Sequence, residues 1–142
     1  MTATSFLQRA LLLAALIFVL NCQRSSGGDP IDFERDVQPV LTRFGCNSGP
    51  CHGKQRGQNG FQLSLRGFDS DFDYAALTHE ALSRRVVLTR PEQSLLLKKA
   101  TGELPHGGGV RLEPGGAEVA LLKEWILQGA ARAVPGTPGL ER

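Results

Sequence analysis

Eight residues constrain this chain more than any others: Cys46-Asn47-Ser48-Gly49-Pro50-Cys51-His52-Gly53. They set two thiols and an imidazole in one short run of turn-forming residues. Paired cysteines followed at once by histidine are the pattern of covalent haem attachment, where each sulfur joins a vinyl group and the imidazole takes the iron from one side. The usual gap between the cysteines is two residues; here Asn47 to Pro50 make it four. The vinyl groups are fixed on the porphyrin, so the sulfurs must finish at one separation whatever lies between them, and the extra residues must bulge outward. Asn, Ser, Gly and Pro tolerate such tight, non-helical turns. The same composition suits a turn closed by a disulfide, so the gap leaves both readings open.

A chain of 142 residues holds one small domain. With 17 glycines and only 6% aromatics it buries a modest core, and an apolar cofactor would supply much of the missing surface. The formal charge of +2 is spread without a polybasic block, which argues against nucleic acid or an anionic membrane surface as partner. The chain contains no G-x-G-x-x-G, P-loop, G-x-S-x-G or H-E-x-x-H pattern. Asp69, Asp71 and Asp73 alternate like the start of a calcium loop. The later glycine and terminal glutamate are missing, and helix capping accounts for them better.

Arg9 followed by the apolar run Ala10–Leu20 is the length of an export-signal core and too short to span a bilayer. Residues 1–22 therefore read as a signal peptide and 23–30 as a flexible linker. Val19-Leu20-Asn21-Cys22 loosely resembles a lipobox, with Asn21 where a small residue is expected. Acylation of Cys22, anchoring the protein to a membrane, and its removal with the leader both stay open. The mature domain then holds the pair Cys46 and Cys51, which an oxidising compartment could close as a disulfide. Zinc fits poorly: a structural site wants four ligands, the candidates are Cys46, Cys51, His52, His79 and His106, and a cysteine pair followed directly by histidine is unlike the usual separated ligand pairs.

Periodicity predicts a mainly α domain with long loops. A helix is expected over Ile31–Phe44, with Asp36 as cap, Pro39 in its first turn, and Val37, Val40, Leu41 and Phe44 on one face; Gly45 ends it. Gly53–Gly67 reads as a loop or short hairpin. Ser70 or Asp71 should cap a helix over Phe72–Leu82. Pro91 should open a short helix burying Leu95, Leu96 and Leu97, with Lys98 and Lys99 favourably placed at its end. Glu103–Pro114 reads as loop. The last helix, Gly116–Gln128, should carry Val119, Leu122, Ile126 and Ala130 in one stripe, Trp125 at its edge, and Glu124 and Gln128 opposite. Residues 132–142 read as a disordered tail.

Three runs carry a resemblance to a known family: Ile31-Asp32-Phe33-Glu34-Arg35-Asp36-Val37-Gln38-Pro39-Val40-Leu41, the Cys46–Gly53 motif, and Leu121-Leu122-Lys123-Glu124-Trp125-Ile126-Leu127-Gln128-Gly129-Ala130. Together with Pro91–Gly102, similar to a segment leading into a distal loop, they make residues 31–131 resemble the planctomycete-type cytochrome c domains. The resemblance implies a small class I cytochrome c-like helical domain, with long loops around a buried haem and terminal helices that cross. It implies haem c as cofactor, Cys46 and Cys51 as covalent attachment sites, and His52 as proximal iron ligand.

The sixth ligand follows partly by elimination. Met1 is the sole methionine and leaves with the leader, so the methionine used by many class I cytochromes is absent. His79 and His106 remain, or an open site. His79 falls on the solvent side of its expected helix. His106, in Leu104-Pro105-His106-Gly107-Gly108-Gly109, lies where the resemblance puts a distal loop, and the glycines would let the backbone pass close to a porphyrin face. Two histidines would give an exported, periplasmic electron carrier rather than an enzyme, serving an unidentified redox partner. An open site, with Arg111 nearby, would suit a haem enzyme or sensor. A haem-free, disulfide-closed interaction module is the third reading.

Overall fold

Asp32 starts the first helix: its carboxylate accepts hydrogen bonds from the Glu34 and Arg35 amides, while its own amide donates to Asp36. Asp36, the expected cap, therefore closes the capping arrangement from one turn inside. The computed structural model describes residues 29–132. The expected signal peptide with Cys22, most of the linker and tail residues 133–142 lie outside the described residues. From the cap, a π-helical turn, Phe33–Val37, runs into the α-helix Gln38–Arg43 (α1). Pro39 accounts for the widened turn. It donates no amide hydrogen and its ring crowds the carbonyl four residues back; the Gln38 amide reaches Phe33 instead. Gly45, at φ +72, carries the chain away from α1 in a conformation most side chains resist.

Asp69, not Ser70 or Asp71, caps the next helix, Ser70–Thr78 (α2), by accepting from the Phe72 amide. α2 stops four residues short of Leu82. The buried Arg85 guanidinium takes the Ala76 carbonyl, and Ala81, Leu82 and Ser83 all adopt positive φ. A 3₁₀ turn, Pro91–Gln93, precedes Leu95–Ala100 (α3). Of the three leucines expected in the core only Leu97 is buried; Leu95 and Leu96 are half-buried and face a cavity instead. Lys98 and Lys99 occupy the last turn as expected.

The last helix is Ala117–Leu127 (α4). Leu122, Trp125 and Ile126 are buried, so Trp125 sits at the centre of the buried face rather than its edge. Its ring lies 5.8 Å from that of Phe33, and its indole N–H donates to the Ala131 carbonyl. Tyr74 of α2 meets Phe33 edge-on at 5.3 Å. The core thus forms where the first turn, α2 and α4 converge. Gln128 is not simply a solvent-facing residue, because its side-chain oxygen accepts from the Ile31 amide. Phe33 donates its amide to the Arg132 carbonyl, and the Arg132 side chain pairs with Glu34 and Asp71. Arg132, expected in the tail, is therefore docked. Among the described residues the fold is mainly helical, with one isolated β-bridge, Gln58–Phe61.

Candidate functional site

The motif folds as a chain of tight turns directly after α1. Ser48 donates to Gly45, Cys51 to Ser48, His52 to Cys46, and Gly53 to Ser48. The four-residue gap is thereby gathered up, so that the His52 amide returns to the Cys46 carbonyl at 3.0 Å. The gap does not bulge outward throughout. Pro50 is exposed, whereas Asn47 is buried and donates its side-chain amide to Thr42. Cys46 and Cys51 are free, half-buried thiols lining the same cavity. Burial, with Cys51 alongside, pushes the Cys46 thiol up to about 11. Arg111, exposed, brings its guanidinium to 3.7 Å from the Cys51 sulfur.

His52 is oriented from behind by a hairpin. Asn59 and Gly60, at φ +49 and +73, form the two-residue turn that Asn-Gly favours, with Gln58 and Phe61 exchanging both backbone hydrogen bonds. The Phe61 carbonyl then meets His52 Nδ1 at 3.0 Å. Gly57 is needed here: its φ is +58, and a Cβ would fall on that same carbonyl. Arg85 braces the hairpin, stacking its guanidinium 4.4 Å above the Phe61 ring and donating to the Gly60 carbonyl and Glu80. Nothing in the local sequence pattern marked Arg85, because its acceptors come from three separate segments. Burial holds the His52 imidazole below its ordinary value despite the Phe61 contact, which raises it; His106 and Arg85 push in the same direction as burial.

His106 reaches the cavity from the opposite loop. Its Nδ1 lies 2.8 Å from the Gly109 carbonyl, and Lys99 fixes the loop by donating to Pro105. A carbonyl can only accept, so in the neutral form of each ring the proton sits on Nδ1 and Nε2 keeps its lone pair. That is the arrangement by which metal-binding imidazoles are held. The two rings lie nearly parallel, 7° apart, with centroids separated by 6.2 Å. A metal bonded to two imidazole nitrogens at about 2 Å each, with each ring centre roughly 1 Å behind its nitrogen, separates the centroids by about 6 Å. The spacing equals that of such a pair, but the rings are stacked, and each would have to turn its Nε2 edge toward a shared metal.

The cavity they border has a volume of about 370 Å³ and is walled by Leu41, Phe61, Leu77, Leu95 and Leu96, with Cys46 and Cys51. Among the described residues no group of three or more His, Cys, Asp or Glu is placed to hold a bare metal ion. A metal held by His52 and His106 would need its other ligands from a group filling the cavity. His79 is exposed, stacks edge-on against Tyr74 at 5.6 Å and does not line the cavity. The structure thus brings Cys46, Cys51, His52 and His106 together and leaves His79 apart. No described helix is long and apolar enough to cross a membrane. The chain matches no protein-family model, no curated protein and no solved structure.

Proposed function

We propose that this chain is an exported monohaem c-type cytochrome that transfers electrons. The observation that carries the reading is the near-parallel pair His52 and His106, each with Nδ1 tied to a carbonyl, bordering a cavity that also holds both motif cysteines. Cys46 and Cys51 would hold haem c covalently, with His52 as proximal and His106 as distal iron ligand. The apolar wall supplies the environment a porphyrin needs, and the contact of Phe33 in the first helical turn with Trp125 in the last helix fits a class I cytochrome c-like domain.

When bound, the haem supplies a one-electron couple; with two imidazoles on the iron its potential lies below that of a methionine-ligated relative. The protein's own part is to fix both ring orientations through the Phe61 and Gly109 carbonyls and to exclude water with Leu41, Leu77, Leu95 and Leu96. With His52 and His106 both holding the iron, the site would favour electron transfer over ligand chemistry, making the protein a carrier for a redox partner and not an enzyme. The leader-like residues 1–22 fit a periplasmic location, and an acylated Cys22 would add membrane anchoring.

The test is covalent haem in protein co-expressed with a cytochrome c maturation system. After acid-acetone extraction, the pyridine haemochrome spectrum should show haem retained by the chain, its band position telling one thioether from two. Complete extraction would leave Cys46 and Cys51 as a disulfide pair and remove the reading. In the retained species His106→Ala should convert a low-spin spectrum to high-spin, and His52→Ala should abolish the low-spin spectrum while the adduct persists. An unchanged spectrum in His106→Ala would exclude it as the distal ligand.

A further inference from the structure

Four cations line the cavity, Arg84, Arg85, Lys99 and Arg111, and among the described residues no aspartate or glutamate does. Arg85 is buried, Lys99 is half-buried and Arg84 and Arg111 are exposed, so a negatively charged occupant of this leucine-rich wall would find partners of opposite sign at its rim. Two of the four are accounted for. Arg85 is engaged by Ala76, Gly60, Glu80 and the Phe61 ring. Arg111 stands at the Cys51 sulfur. Arg84 and Lys99 remain. Each makes one hydrogen bond to a carbonyl, Arg84 Nε to Ala81 and Lys99 Nζ to Pro105, and neither is in an ion pair with a described residue. Among the described residues no acceptor meets the terminal nitrogens of Arg84 or the other two ammonium protons of Lys99.

The backbone sets these two side by side. The Leu95 amide donates to the Arg84 carbonyl at 3.1 Å, and Lys99 lies one turn beyond Leu95 on the same face of α3. Arg84 also follows directly on Ala81, Leu82 and Ser83, whose φ values of +54, +57 and +55 hold three non-glycine residues in the left-handed region. Strain of that kind concentrates at ligand clamps.

The geometry points to Arg84 and Lys99 as the seat of the occupant's carboxylates, which in the haem reading, on which this inference rests, are the two porphyrin propionates. Arg111 does not serve, because it stands at a thioether cysteine and the propionates occupy the porphyrin edge remote from the vinyl groups. The site would thus select a tetrapyrrole bearing a pair of free acids, with a planar guanidinium fork for one and an ammonium for the other.

The experiment uses the full chain after haem attachment. Resonance Raman spectra of the unmodified holoprotein should show propionate bending bands displaced from those of a haem c peptide in water. Arg84→Gln and Lys99→Gln should each move the bands toward the peptide's and bring a new pH-dependent step into the midpoint potential; Arg84→Lys should restore part of the displacement. Arg66→Gln, at an exposed arginine that does not line the cavity, should change neither readout. Bands in the unmodified protein identical to those of the peptide, or unchanged by both glutamine variants, would overturn the seat while leaving haem attachment intact. A chain that never acquires covalent haem would instead remove the haem reading, and this seat with it.

Discussion

Leu82 projects into solvent, 93% exposed, while its backbone sits at φ +57 and ψ +37. The left-handed region costs a non-glycine residue roughly 1–2 kcal/mol, and an exposed side chain returns little by packing. Leu82→Gly should therefore stabilise the protein by about 0.5–1 kcal/mol once the extra freedom of glycine in the unfolded chain is subtracted. Urea unfolding midpoints measure this directly, and a lower midpoint would mean that Leu82 contributes a contact. The hairpin behind His52 provides a matched pair. Gly60→Ala meets open space and should cost about 1 kcal/mol through φ alone. Gly57→Ala must also displace the Phe61 carbonyl and should cost roughly 2–3 kcal/mol. Equal losses would show that this carbonyl shifts freely. At this scale the cysteines and histidines were legible because their chemistry is rare and their spacing local. Arg85 was not, since its role depends on Gly60, Ala76 and Glu80 arriving from different parts of the chain.

The start of α2 illustrates what a helix signal in sequence can and cannot specify. Asp69, Ser70 and Asp71 are all good caps by type, and only backbone geometry picks Asp69, whose extended conformation lets its carboxylate reach the Phe72 amide. Asp69→Ala should cost about 1 kcal/mol. Asp71→Ala removes an exposed partner of Arg132 and should stay within about 0.5 kcal/mol. The reverse order, read by thermal or chemical unfolding, would restore the sequence-based assignment. Similar reasoning covers the misplaced Trp125. Periodicity identifies the apolar face of α4, but the middle of that face is set by Phe33 and Ala131, which no helical wheel contains. Leu95 and Leu96 read as core for the same reason: an apolar cavity wall and a packed interior share one pattern.

Asp73 ties the molecule together at larger scale. Its fully buried carboxylate accepts from the Ser64 amide and hydroxyl and from Gln38, joining α1, α2 and the segment that follows the hairpin. Burial outweighs these donors and raises its carboxyl above the ordinary range. The folded state then holds this proton more tightly than the unfolded chain does. The contribution is full below the unfolded carboxyl value of about 4 and fades as pH rises through the raised folded value. Unfolding free energies of the unmodified protein and Asp73→Asn should accordingly diverge in favour of the unmodified protein as pH falls from neutral. A difference that stays flat would mean that the three donors offset burial. The helical content of the whole was legible from short-range periodicity. The approach of His52 and His106 was expected only through the family resemblance and not from periodicity, since the loops that carry them are placed by α3 and by hydrogen bonds such as Lys99 to Pro105.

Phe33 and Arg132 share a backbone hydrogen bond of 3.1 Å, and Ile31 is held by Gln128. The described chain therefore begins and ends close together. A polypeptide with this property can be spliced into a loop of another protein as a bead on a closed thread, asking the host for no more room than a hairpin's mouth. Pulling on the flanking chain would likewise load the Phe33–Arg132 pair first, as a zipper opened from its end, with the helices around the cavity bearing tension only after that pair has parted.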